Sequence, residues 1–322
     1  MRVFSKPNII VSKCLGFANC RYNGAIISDD FADKLKPYVN FQPVCPEVEI
    51  GLGVPRDPVR IISMDGELKL FQPATEKDLT GKINDFCSSF LSSVEDVDGF
   101  MLKSRSPSCG VKDVKIYPGT DKGMAIDKGQ GFFGKAVLDK LPYLTVEDEG
   151  RLTNFRIREH FLISIFNSAG FRQVKQQRSL RELAKFHTEN KLMLMLYNQN
   201  EMRILGRIIA NKDKKSLDSV VEEYEYHLFK AFSRIPKYVS SINVLMHGLG
   251  YFSKDLSHEE KAFFLDSLEK YRSKKIPLSV PANVLKSFII RFKDEYLIQE
   301  TFFEPYPEDL IEMTDSGKGR DL

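Results

Sequence analysis

The sequence predicts an α/β N-terminal domain with a mainly parallel sheet, followed by an all-α C-terminal domain. Short apolar runs between Gly- and Pro-marked turns fill the first half of the chain, whereas long segments with a 3.6-residue apolar period fill the second. All 5 cysteines lie in roughly the first third, and all 5 histidines lie after residue 150. We therefore expect two domains, at residues 1–150 and 151–322.

Four short apolar runs are predicted to form strands of the first domain: Asn8–Val11, Phe41–Cys45, Val59–Ile62 and Gly99–Leu102. Helices are predicted between them at Phe31–Leu35 and Thr80–Val94. Strands that alternate with helices favour a parallel sheet, because a parallel connection needs a crossover. Ligands of such sheets bind outside the carboxyl ends of the strands, so the residues that follow each strand are the candidates for a site.

Five longer segments of the second domain have helical periodicity: Asn154–Ala169, Ser179–Leu196, Ser216–Phe232, His258–Tyr271 and Pro281–Phe292. Ser179 and Ser257 are each followed three residues later by a glutamate, which is the pattern of a capping box. These two serines are therefore predicted to begin helices.

Composition excludes several classes of protein. A chain of 322 residues with 42% hydrophobic and 28% charged residues can form two cored domains. The net charge of +3 is too small for a nucleic-acid coat or a polybasic membrane anchor. No apolar run reaches the roughly 18 residues of a transmembrane helix, and no signal-peptide pattern is visible. We expect a cytoplasmic protein without a membrane partner, whose oligomeric state the sequence leaves open.

Three cysteines follow predicted strands in turn-forming contexts: Cys14, Cys45 and Cys109. Converging thiolates in a cytosolic protein suit a soft metal. An iron–sulfur cube normally takes four cysteines, so three would leave one iron open. The alternative is that these residues are small buried hydrophobes, because no C-x-x-C pair supports a metal. Cys87 lies on an apolar helix face and is expected in the core, while Cys20 could line the same pocket without being a ligand.

Motifs in both halves resemble known families. The first half resembles the bacterial TudS-like thiouracil desulfidases through Ser12-x-Cys14-Leu, Cys20-Arg-Tyr-Asn-Gly24, Val44-Cys-Pro-Glu-Val48 and Arg105-Ser-Pro-Ser-Cys-Gly110. The second half resembles the YbgA-type domain through Phe186-His-x-x-x-Lys191-Leu and His247-Gly-x-Gly-Tyr251-Phe. Together the two resemblances cover nearly the whole chain.

The resemblance implies a [4Fe–4S] cluster held by Cys14, Cys45 and Cys109, with one open iron. It also implies a non-redox hydrolysis in nucleotide salvage, in which water replaces the sulfur of thiouracil or 4-thiouridine monophosphate and sulfide leaves. The expected small-molecule partner is therefore a thiolated pyrimidine base or nucleotide.

The same resemblance suggests roles for residues near the cysteines. Glu47 is the expected general acid or base, and Ser106 is expected to position water or relay a proton, with Ser108 as a second candidate. Lys103 and Arg105 flank the third cysteine and are expected to bind a nucleotide phosphate. Each also has a structural interpretation, as an N-cap carboxylate, a turn-shaping serine or a solvated strand end.

Two other functions remain open at this point. A thiol-based sulfur transferase would carry persulfide on one cysteine and would work in air without iron. A cluster-bearing RNA-binding or regulatory protein would use basic segments such as Lys212–Lys215 and Lys270–Lys275, and its affinity would fall steeply with salt. His187 and Lys191 share a helix face and either present charge to a phosphate or hydrogen-bond within the domain. We expect no metal in the helical domain.

Overall fold

The computed structural model of the protein describes residues 2–120, 123–312 and 314. The chain forms two compact units. One comprises Ser5–Ala169 with the segment that begins at Asp309, and the other comprises Gly170–Glu308 with the residues up to Phe4. We call them the N-terminal unit and the helical unit. The domain boundary expected at residue 150 stays a prediction.

The N-terminal unit contains strands and helices in alternation. Its strands are β1 (Asn8–Ser12), β2 (Asn40–Val44), β3 (Arg60–Met64), β4 (Glu67–Gln72), β5 (Lys77–Asp78), β6 (Gly99–Leu102), β7 (Val114–Tyr117), β8 (Asp127–Gly129) and β9 (Thr145–Asp148). Its helices are α1 (Asp30–Leu35), α2 (Pro46–Glu49), α3 (Thr80–Ser93) and α4 (Phe132–Lys140). Helix α5 (Phe155–Gln177) contains the boundary between the two units.

The helical unit continues with α6 (Leu180–Glu189), α7 (Lys191–Tyr197), α8 (Gln199–Ala210), α9 (Leu217–Ala231), α10 (Tyr238–Tyr251), α11 (His258–Arg272) and α12 (Ser279–Phe292). Short 3-10 helices lie at Pro73–Thr75, Arg151–Thr153, Leu297–Gln299, Thr301–Phe303 and Glu308–Leu310. The predicted fold class, an α/β region followed by a run of helices, is confirmed. No helix in the described part of the chain is long and apolar enough to span a bilayer.

The sheet that carries the site is parallel throughout, with strand order β2-β1-β6-β9. Buried side chains of β1 and β6, among them Ile10 and Phe100, pack in one core with Ile83 of α3 and Phe133 of α4. Cys87 is 3% exposed in this core, as its apolar helix face predicts. Parallel pairing directs the carboxyl ends of β1, β2 and β6 to one edge of the sheet.

Strand β3 does not join that sheet, in contrast to the prediction of one set of strands. It belongs to a second sheet of order β5-β4-β3-β7-β8 and pairs antiparallel with β4. The reason is the connection Asp65-Gly66, in which both residues have positive φ, 53° and 82°. An Asp-Gly pair of this kind forms the tight turn of a β-hairpin, so β3 finds its partner within a few residues.

The predicted helix Ser179–Leu196 is interrupted at Asn190, which separates α6 from α7. The Asn190 side chain donates to the carbonyl of Phe186 over 2.8 Å. The N–H of Leu192, in the first turn of α7, donates to Oε2 of Glu300 over 2.9 Å. Such side chains satisfy backbone groups that a helix end leaves unpaired. At Ser257 the structure contains the predicted capping box, and the Ser179 side chain accepts from the N–H of Glu182.

Glu300 makes the stability of the helical unit depend on pH. It is 1% exposed, and burial raises the pKa of its carboxyl to about 7. A raised pKa in the folded state means that the unfolded chain loses this proton first, so stability falls as pH rises from about 4.5 to about 7. The loss is up to about 3 kcal/mol.

We expect Glu300→Gln to remove most of this pH dependence, because the amide stays neutral. The measurement is thermal unfolding of the wild type and the variant at pH 5 and pH 8. The same substitution at exposed Glu295 is the control. An unchanged pH dependence in the Glu300 variant would contradict the assignment.

Candidate functional site

A cavity of about 400 Å³ lies in the N-terminal unit beside the carboxyl ends of β1, β2 and β6. Four cysteines line it: Cys14, Cys20, Cys45 and Cys109. Cys14 comes two residues after β1, Cys45 comes directly after β2, and Cys109 lies in the loop that follows β6. The order of the parallel sheet therefore brings together residues that are 95 positions apart in the sequence (14 to 109).

Short backbone hydrogen bonds hold Cys14 and Cys45. The N–H of Lys13 donates to the carbonyl of Val44 over 2.8 Å, which continues the β1–β2 pairing up to both cysteines. Cys45 is the N-cap of α2, and its carbonyl accepts from the N–H groups of Val48 and Glu49 at 3.0 Å. Pro46 occupies the first helical position, where a missing N–H does no harm.

The Cys109 loop is held by the first turn of α4. The N–H of Phe133 donates to the carbonyl of Ser108 over 2.9 Å, and the N–H of Gly131 donates to the carbonyl of Gly110 over 2.7 Å. Gly134 permits this approach, because a Cβ there would lie 2.5 Å from the Gly110 oxygen. N–H groups that a helix start leaves unpaired thus fix the loop.

The thiols of this cavity influence one another. A hydrogen bond with Cys14, together with burial, raises the pKa of Cys20. A hydrogen bond with Cys20, followed by burial, raises the pKa of Cys45 far above its usual range. Burial also raises the pKa of Cys109 far above its usual range, although hydrogen bonds with Ser12 and Ser106 oppose this shift. In the absence of a metal, the Cys45 and Cys109 thiols are therefore protonated at neutral pH.

Glu47 is clamped from two sides. Its Oε2 accepts from Nε and Nη2 of Arg56 at 2.9 and 2.7 Å, and its Oε1 accepts from Oγ of Ser108 at 2.9 Å. Only 4% of the Arg56 side chain and 12% of the Glu47 side chain are exposed. The serine that contacts Glu47 is thus Ser108. Ser106 instead accepts from the N–H groups of Ser108 and Cys109, which is a turn-shaping contact.

Positive side chains outnumber negative ones around the cavity. Five cationic residues line it: Lys13, Arg21, Arg56, Lys103 and Arg105. Arg56 is paired with Glu47, and Nζ of Lys103 pairs with Glu149. The other three form no ion pair with the described part of the chain. The cavity therefore favours a ligand that carries negative charge.

Comparisons with known proteins match the first and second halves of the chain to two different families. Residues 9–149 match the family model described as 2-thiouracil desulfurase. The chain belongs to this family. Residues 191–307 match DUF1722, a protein family of unknown function.

Two curated relatives each match a different part of this 2-thiouracil desulfurase family member. The uncharacterized protein YbbK of Bacillus subtilis (strain 168) is 34% identical over 125 residues, which are 37% of this chain and 82% of the relative. The uncharacterized protein YbgA of Escherichia coli (strain K12) is 27% identical over 164 residues, or 50% of this chain and 96% of the relative.

A solved structure is also similar to this desulfurase family member. It is the [4Fe-4S]-dependent thiouracil desulfidase TudS, at 30% sequence identity, 46% coverage of this chain, 93% coverage of that chain and a TM-score of 0.37.

The fold of the N-terminal unit brings the candidate site residues of its sequence together around one cavity. Seven of them line the cavity: Cys14, Cys45, Glu47, Lys103, Arg105, Ser106 and Cys109. Ser108 is fully buried and reaches Glu47. Sequence reasoning missed Arg56, whose only signal is its position between two prolines, Pro55 and Pro58. The roles expected of these residues stay predictions.

No three His, Cys, Asp or Glu side chains among the described residues meet closely enough to hold a single metal ion. A cube differs from a single ion in this respect, because each cysteine binds a different iron.

Three residues of the charged motifs in the helical unit have partners inside that unit. Burial lowers the pKa of His187 to about 4, so its ring is neutral, and Nδ1 lies 3.3 Å from the Tyr224 hydroxyl. In the basic segments, Lys215 pairs with Glu223 and Lys270 pairs with Asp266. His187, Lys215 and Lys270 therefore make contacts within their own unit.

We expect Gly134→Ala to displace the Cys109 loop, because the new Cβ would overlap the Gly110 carbonyl. Such overpacking typically costs about 1–3 kcal/mol. Alkylation of Cys109, measured by peptide mass spectrometry on the metal-free protein, should become faster. Gly81→Ala in α3 is the matched control, because nothing lies within 4 Å of its added Cβ. Equal alkylation rates in the two variants would disprove this role of α4.

Proposed function

We propose that the N-terminal unit hydrolyses the carbon–sulfur bond of a thiolated uracil nucleotide, releasing sulfide and the uracil product. One observation carries this proposal: cysteines that follow three parallel strands and the carboxylate Glu47 line the same cavity. Membership in the 2-thiouracil desulfurase family supports the thiolated pyrimidine as the substrate class.

The cofactor that we propose is a [4Fe–4S] cluster held by Cys14, Cys45 and Cys109. The donor set fits this group, because thiolates are the ligands that iron–sulfur clusters take and these three cysteines line one cavity. When bound, such a cluster supplies an open iron that attracts the substrate sulfur as a Lewis acid.

Glu47 is the proposed general base and acid. As water attacks the ring carbon, one of its protons passes to Glu47, a carbon–oxygen bond forms and the carbon–sulfur bond breaks. Glu47 then returns this proton to the departing sulfur, and the second proton of the attacking water follows it as the carbonyl forms, so the thiocarbonyl and water give the carbonyl and hydrogen sulfide without net oxidation. The Ser108 hydroxyl on Oε1 orients the carboxylate for this transfer.

Ser106 and Ser108 make different contacts, which support different roles at this site. The hydrogen bonds of Ser106 to its own loop support a role in holding Cys109 in place. A proton relay through Ser106 remains a proposal, and the contact with Glu47 favours Ser108 as the serine that acts with the carboxylate.

The substrate that we propose carries a phosphate, such as 4-thiouridine monophosphate. Arg105, Lys13 and Arg21 line the cavity without a carboxylate partner in the described chain, and a phosphate would complement their charge. Lys103, the other residue expected to bind phosphate, donates to Glu149 and to Ser104 and is therefore less available.

The alternative sulfur transferase is less well supported. A persulfide carrier needs a reactive thiolate, and in the metal-free site the raised pKa values of Cys20, Cys45 and Cys109 disfavour these three thiols as carriers. An RNA-binding role also gains no specific support, because the basic segments of the helical unit are partly paired within it.

The central test is anaerobic purification and reconstitution, followed by incubation with 4-thiouridine monophosphate. We expect about four irons per chain, decay of the thiocarbonyl absorption and release of sulfide. Cys45→Ala should lose iron and activity together, whereas Cys87→Ala, in the core, should retain iron and serves as the control. Activity in air without iron would refute the cluster proposal, and a full cluster without turnover would refute the substrate.

The phosphate proposal predicts a selective effect of Arg105→Gln. The variant should raise the KM for 4-thiouridine monophosphate by about 10-fold or more, since a hydrogen bond to a charged group contributes about 1.5–3 kcal/mol. The KM for 4-thiouracil, which lacks the phosphate, should stay unchanged. Equal changes for both substrates, measured by steady-state kinetics, would exclude a phosphate contact.

A further inference from the structure

Arg56 is the most extensively bonded cation of the cavity. Its Nε and Nη2 donate to Oε2 of Glu47 at 2.9 and 2.7 Å, and Nη1 donates to the carbonyls of Cys20 and Gly53 at 2.9 and 3.0 Å. Its own backbone N–H donates to the carbonyl of Tyr22 over 2.7 Å. A guanidinium has five N–H donors, and four of them are used here. Arg56 therefore has little capacity left to bind a substrate phosphate.

These contacts decide which oxygen of Glu47 can react. Oε2 already accepts two hydrogen bonds from Arg56, whereas Oε1 accepts one, from Ser108. A carboxylate oxygen accepts about two hydrogen bonds, so only Oε1 has acceptor capacity left. Water or substrate that exchanges a proton with Glu47 must therefore approach Oε1.

The Cys20 carbonyl ties this arrangement to the cysteines. It accepts from Nη1 of Arg56 and, over 3.9 Å, from the Cys45 thiol. Glu47 lies two residues after Cys45 in α2. One guanidinium thus links the carboxylate to the loop that contains Cys14 and Cys20, and it sets where the carboxylate lies relative to the cysteines.

We propose that Arg56 is a positioning residue for the desulfidation reaction, which holds Glu47 by Oε2 so that Oε1 faces the reacting atoms. This inference rests on the proposed function. A misplaced catalytic group slows the chemical step and leaves substrate affinity nearly unchanged.

The variants that test it are Arg56→Gln, Arg56→Lys and Glu47→Gln, with exposed Arg203→Gln as the matched control. We expect Arg56→Gln to lower kcat by about 100-fold, with KM changed by less than threefold and with iron content and the visible spectrum unchanged. Arg56→Lys should recover part of kcat, because a lysine retains one charged contact with Oε2. The double variant should be no slower than Glu47→Gln alone, because both act through one group.

Several outcomes would overturn the proposal. A raised KM with unchanged kcat would make Arg56 a substrate-binding residue. Loss of iron from both Arg56 variants would make it a support for the cysteine loop only. A double variant whose rate is the product of the two single losses would mean that Arg56 and Glu47 act independently.

A second readout does not depend on activity. In the metal-free protein, Arg56→Gln leaves the largely buried Glu47 carboxylate without its partner, so adding Glu47→Gln should raise the midpoint of thermal unfolding again. If the double variant instead unfolds at a lower temperature than Arg56→Gln alone, Arg56 and Glu47 are not paired in this way. The proposed function fails separately, if the wild type with a full cluster does not turn over 4-thiouridine monophosphate.

Discussion

Parallel pairing of β1 with β2 and β6 is the constraint on which the site depends. In this register Ser12 lies beside Val44 and Val11 lies beside Met101, so the three strands end at a common edge. Each strand is followed by a turn or loop that contains a cysteine. An antiparallel arrangement of the same strands would send one of these turns to the opposite edge and would separate the thiols.

The turns themselves are held by backbone groups that the fold would otherwise leave unpaired. Cys45 caps α2, and the first N–H groups of α4 bind the carbonyls of the Cys109 loop. Because main-chain contacts position both thiols, side chains near them remain available for chemistry. The buried carboxylate of Glu47 is balanced by Arg56. Because Lys103 pairs with Glu149, three cations of the cavity have no acidic partner in the described chain. The same cavity therefore combines soft ligands, a held carboxylate and an excess of positive charge.

Local patterns predicted much of the fold. Short apolar runs predicted β1, β2, β3 and β6, and capping signals placed the starts of α6 and α11. The errors arose where a contact with another strand or side chain of the same chain decided the local structure. The hairpin at Asp65-Gly66 moved β3 into a second sheet, and Asn190 and Glu300 divided one predicted helix into two. Helices α2, α4, α8 and α10 and strands β4, β5, β7, β8 and β9 were not predicted. In α10, two glycines, Gly248 and Gly250, weaken the helical pattern.

The sequence by itself determined the α/β-then-helical division, the family and the short list of cysteines and polar residues near strand ends, because these depend on neighbours along the chain. Tertiary structure alone decided which of those residues meet. Ser108 hydrogen-bonds to Glu47, which lies 61 positions away in the sequence, and Lys103 pairs with Glu149, which lies 46 positions away. Arg56, which belongs to no motif recognised in the sequence, also binds Glu47. Hydrogen bonds and ion pairs act over a few ångströms, so their partners are set by how strands and loops pack and not by their order in the sequence.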